Sequence, residues 1–142
     1  MRKGFKFSID LSLYNNIKLL AQESSRSFSN STETLILLAK TIYEQENDEA
    51  IIYCMRELKA SRILAMPSLR ALPPRKICHV KLCPAAIDFA GFLYSTYPAV
   101  FDSMNESISL CLAYAQQYLA TSQTRRYLAS RMDDVQQAAQ YQ

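Results

Sequence analysis

Glycine is nearly missing from this chain. Two glycines in 142 residues cannot build a glycine-rich phosphate loop, which excludes P-loop and Rossmann nucleotide enzymes. Histidine is scarcer still. The single His79 leaves little for a zinc enzyme or a nucleophilic triad. The cysteines Cys54, Cys78, Cys83 and Cys111 show no CxxC spacing and fall in apolar patterns. They read as reduced, buried thiols of a cytoplasmic protein rather than a disulfide framework. No secretory signal is expected, because Lys6, Asp10 and Asn15 interrupt any apolar run near the start. The longest uncharged stretch, Ser107 to Thr124, carries Gln116, Gln117 and several hydroxyl residues, so no membrane span is expected either.

What is present is an ordinary globular balance, 49% apolar and 20% charged. Lys and Arg outnumber Asp and Glu by 16 to 13, and a net charge of +3 permits an anionic partner without naming one. Residues Phe5 to Asp10 alternate apolar and polar, the period of a half-buried strand. From Ser12, a plausible N-cap, the period becomes helical through Leu13, Ile17, Leu20 and Ala21. A polar turn, 25–33, contains Phe28. A second helix is expected from Ser29 or Asn30, with Asn30 and Glu33 spaced as a capping box and Leu35, Leu38, Ala39 and Ile42 on its apolar face. The acidic run 44–49 opens a third helix, near 47–66, which Met66-Pro67 closes. Residues 67–75, with three prolines, read as a stiff linker.

The order of signals then repeats. Cys78 to Leu82 alternates, Pro84 suits a first helical turn, and Ile87, Ala90, Leu93 and Tyr94 follow at helical spacing. Pro98 stops that helix, Asp102 or Ser103 caps the next, and a weakly amphipathic last segment is expected over 125–139. At an offset of 73 residues Phe7 falls on Val80, Leu20 on Leu93, Phe28 on Phe101 and Leu35 on Ile108. The expected organisation is a first repeat with an extra helix over 1–66, the linker 67–75, and a second repeat with a C-terminal helix over 76–142.

Strand, helix, the turn Leu20-Ala-Gln-Glu-Ser-Ser-Arg-Ser27 and a capped helix from Ser29 to Leu38 resemble the ribbon-helix-helix superfamily, to which the Arc, MetJ and CopG repressors belong. Ser25 stands where that turn usually has glycine. The resemblance covers about 4–45; the second half, about 77–119, follows through the offset. It implies a mainly α fold with one short two-stranded antiparallel β-ribbon, a tandem pseudo-dimer in one chain. The layout is similar to accessory proteins of plasmid conjugation and T-DNA processing, the TraY type among them. In this superfamily the ribbon enters the DNA major groove.

If Phe5, Phe7 and Ile9 face the core, Gly4, Lys6 and Ser8 face out; likewise Cys78, Val80 and Leu82 face in, and Ile77, His79 and Lys81 out. The resemblance therefore assigns base reading to Lys6, Ser8, His79 and Lys81. Phosphate contacts fall to Arg2, Lys3 and Lys76 and to the start of the second helix, Ser29, Asn30 and Ser31. Asp102 at the matching helix start of the second repeat would repel a phosphate. Unlike strands imply an asymmetric DNA site. The partner is double-stranded DNA, with self-association or a protein partner through the extra helices. No cofactor or metal is implied, since His79 with Cys78 and Cys83 gives too few ligands for a closed zinc site.

No residue set supports catalysis. Asp133 and Asp134 are adjacent on a helix and cannot face one site together. The competing reading is a degenerate ribbon-helix-helix that serves as a protein-interaction module, antitoxin-like or an assembly adaptor.

Overall fold

The period-two segments form strands and the remaining periodic segments form helices. Their order is β1 (Lys3–Asp10), α1 (Leu11–Glu23), α2 (Phe28–Gln45), α3 (Asp48–Leu64), β2 (Arg75–Leu82), α4 (Pro84–Thr96) and α5 (Met104–Gln140). The computed structural model describes residues 1–46, 48–64 and 74–140, with side chains described to 61 in α3 and to 122 in α5. The expected helix end at Met66-Pro67 and most of the 67–75 linker lie outside the described residues. Of that linker, Arg75 belongs to β2, and Pro74 accepts a 2.8 Å hydrogen bond from the amide of Leu11 through its carbonyl. The end of the expected linker is therefore part of the ribbon.

The two strands pair antiparallel as one two-stranded sheet, with Lys3 opposite Leu82, Lys6 opposite His79 and Asp10 opposite Arg75. Their faces separate as the alternation requires. Phe7, Ile9, Cys78, Val80 and Leu82 are buried, whereas Gly4, Lys6, Ile77, His79 and Lys81 are exposed. One hydrophobic core takes side chains from both halves, among them Ile17, Leu35, Ile36 and Met55 together with Leu82, Leu93, Phe101 and Leu112. Helix α4 has the length of α1, 13 residues, and its bounds are those of α1 shifted by 73.

The caps differ from the sequence expectation. Helix α1 starts at Leu11, so Ser12 is its second residue; the N-cap is Asp10, whose side chain makes no cap hydrogen bond and instead pairs with Arg75 at 3.1 Å. At the other end of α1, Ser25 has φ 55, the left-handed region that glycine favours. The Arg26 amide reaches the Ala21 carbonyl and the Ser25 amide the Gln22 carbonyl, the two bonds of a Schellman ending. Helix α2 is capped by Ser27, whose hydroxyl accepts from the Asn30 amide at 3.1 Å. The expected Asn30–Glu33 box does not form, because Glu33 is buried and turned across the fold. Ser103 caps α5 by accepting from the Glu106 amide at 3.1 Å, and Asp102 is held by Lys59 at 3.0 Å.

The separate last helix over 125–139 is also corrected. Helix α5 runs from Met104 to Gln140 without a break. No proline or glycine occurs in that span, so the polar run 121–124 interrupts the amphipathic pattern and not the helix. Among the described residues, α2 is thus followed by a distinct further helix, α3, and α5 by none. Ser107, fully buried, donates to the Ala90 carbonyl at 2.7 Å and ties α5 to α4. The thiols divide: Cys78 and Cys111 are buried and Cys83 half-buried, but Cys54 is exposed on α3, contrary to the expectation of burial. Burial raises the Cys111 thiol to about 12. Among the described residues, no helix is long and apolar enough to cross a membrane.

Candidate nucleic-acid interface

The outward side of the ribbon presents four cross-strand pairs: Gly4 with Lys81, Lys6 with His79, Ser8 with Ile77, and the ion pair of Asp10 with Arg75. The Lys6–His79 pair joins residues related by the 73-residue offset. Gly4, Phe5, Lys6, His79, Val80 and Lys81 line an open groove of about 510 Å³, and Ser29 from the first turn of α2 closes one side of it. The Ser29 hydroxyl accepts from the Lys81 amide at 3.4 Å. On the other strand the Asn105 side chain does the same work. Its oxygen accepts from the Ser8 amide at 2.6 Å, and its amide nitrogen donates to the Ser8 carbonyl at 2.9 Å. Each strand edge therefore meets the start of one long helix. The start of α2 thus brings a positive dipole end beside two lysines, Lys6 and Lys81.

The residues named from the sequence are distributed unevenly. Lys6, His79 and Lys81 are exposed together on the groove. Ser8 faces the same way but is half-buried and engaged: Arg75 donates to its hydroxyl at 3.3 Å and to its carbonyl at 2.7 Å. Lys3 is exposed at the ribbon end. Lys76 is exposed too, and its ammonium lies 5.5 Å from the centre of the Tyr14 ring, away from the groove. Asn30 is exposed beside Ser29. Ser31 is buried at 3% exposure with its hydroxyl unpartnered, so it does not face a ligand as expected.

Arg2 is committed within the protein. Its guanidinium donates to both oxygens of Glu33 at 3.1 Å, and the Cys83 amide donates to one of them at 2.6 Å. The bond from Arg2 holds the Glu33 carboxyl below the usual glutamate range against its burial, and the Cys83 amide adds to the effect. The carboxylate also sits at the start of α4, where helix dipoles favour negative charge. Sequence reading gave Glu33 a capping role and missed Arg75 and Asn105, because the partners of all three lie 31 to 97 residues away. It placed Ile77 outward but gave it no role.

Comparisons with protein-family models, with curated proteins and with solved structures find no match to this chain.

Proposed function

We propose that this chain is a tandem ribbon-helix-helix pseudo-dimer that binds double-stranded DNA sequence-specifically by inserting its ribbon into the major groove. It would serve as a transcriptional regulator or as an accessory factor of plasmid transfer; binding, not catalysis, is its work. The observation that carries this reading is the gathering of Lys6, His79 and Lys81 on one face of a two-stranded antiparallel ribbon, with the α2 start against it. A ribbon of that width fits the major groove, where lysine donates to guanine O6 and N7. Lys3 and Asn30 flank it for phosphate contact. The strand–helix–helix order, found twice, and the central Lys6–His79 pair support the pseudo-dimer. Because the two strands differ, the DNA site should be asymmetric rather than palindromic.

Fluorescence anisotropy with duplex from the gene's upstream region, at two salt concentrations, tests this. Tight binding that weakens steeply with salt is expected, with a log–log slope of about 0.9 per phosphate contacted. A Lys6→Ala/Lys81→Ala variant, folded by circular dichroism, should lose at least tenfold, about 1.4 kcal/mol. Salt-insensitive binding, or binding unchanged in the variant, would sink the ribbon as reader.

One observation favours the interaction-module reading. Tyr43, Phe89 and Phe92 form an aromatic cluster with ring centres 5.7 to 6.4 Å apart, lining an open pocket of about 440 Å³ between α2 and α4. Phe92 is 43% exposed there. A folded protein that binds no duplex would shift the reading to a protein partner on this face.

A further inference from the structure

We infer that Ile77 reads a thymine methyl group, and that the ribbon therefore recognises a directional duplex with guanine at one end of the contact and thymine at the other. This rests on the DNA reading above and names the DNA it would select.

The four outward pairs are chemically graded. At one end Lys81 stands opposite Gly4, so a flexible cation projects with no side chain across from it. In the centre Lys6 faces His79. Beyond it Ile77 faces Ser8, which Arg75 and the Asn105 side chain hold, and the row ends in the Asp10–Arg75 ion pair. Ile77 projects there, 56% exposed, while the neighbouring Arg75 guanidinium is engaged by Asp10 and Ser8. A single exposed aliphatic residue is ordinary on a protein surface. This one is distinguished by its place, in the same outward row as Lys6, His79 and Lys81. Its β-branch restricts χ1, so the apolar tip is presented with little freedom to turn away.

In the major groove the one apolar feature of a base pair is the thymine 5-methyl, and aliphatic contact with it is how protein side chains read it. Along β2, Ile77 and Lys81 are four residues apart, about 13 Å at strand rise. Laid along the groove, that spans roughly four base-pair steps at about 3.4 Å each. The guanine read by Lys81 and the thymine read by Ile77 should then lie about four base pairs apart, in one orientation only.

The test begins with selection from a random-sequence duplex library, using the full chain and an Ile77→Ala variant checked for folding by circular dichroism. The wild type should enrich an asymmetric site with thymine near one end, and the variant should lose preference at that position alone. Thymine in the enriched duplex is then replaced by deoxyuridine, which lacks only the methyl. Wild-type affinity should fall about fourfold, the value of one buried methyl group, while the variant should not respond. A wild type that enriches a site without thymine preference overturns the assignment and leaves the DNA reading standing. An equal response of both proteins to deoxyuridine does the same. A folded wild type that enriches no duplex overturns the DNA reading itself.

Discussion

Among the described residues, Glu33 is the charged side chain that the fold buries. Its carboxylate, 5% exposed, links the N-terminal arm, the second turn of α2 and the start of α4 through Arg2 and the Cys83 amide. Glu33→Ala would leave the Cys83 amide without its acceptor, at a cost of about 1–3 kcal/mol near neutral pH. Acid should act on the same link. A carboxyl held below its ordinary range in the fold contributes stability that is present above that range and lost as pH falls through the lowered value. Urea unfolding at pH 7 and at successive steps below pH 5 should show the gap between wild type and Glu33→Ala narrowing with acid. A gap that stays constant would mean the link is packing and not charge.

Among the elements, the helix starts separate what sequence reveals from what it hides. Ser27 and Asn30 are both good capping residues, and only the geometry shows that Ser27 does the capping. Ser27→Ala should therefore cost about 1 kcal/mol in urea unfolding, and Asn30→Ala close to nothing; the reverse order would place the start of α2 wrongly. The strands, the first turn and the order of helices were legible because period, turn chemistry and the Ser25-Arg26 pair are local signals. The Ser25 backbone at φ 55 gives the turn its shape with serine in a position that suits glycine. Of the candidate site, Lys6, His79 and Lys81 were legible from strand alternation alone. The surroundings of Arg2, Ser8 and Ser31 were not legible, because each is set by a partner or a packing surface far away in sequence. Arg2 answers to Glu33, Ser8 to Arg75 and Asn105, and Ser31 to the interior side of α2. The unbroken α5 was missed for another reason: the polar run 121–124 interrupts the amphipathic period, yet it holds no proline or glycine that would break a helix.

At the scale of the whole molecule, the two halves are not separate domains with a joint between them. β1 and β2 share one sheet, and Ile17 and Leu35 from the first half lie in the same core as Leu82 and Leu112 from the second. Neither half buries its strand without the other. Urea unfolding followed by far-ultraviolet circular dichroism and by tyrosine fluorescence should give coincident, single transitions; two resolved steps would mean that the halves hold independently. The shared ribbon has a further result. When two chains each supply one strand, the reader falls apart on dilution, and occupancy of a target rises with a higher power of protein concentration. Here both strands arrive on one polypeptide, so assembly is unimolecular and indifferent to dilution. On the DNA reading proposed above, a cell holding only a few copies would still hold complete readers, and target occupancy would rise in simple proportion to copy number until it saturates.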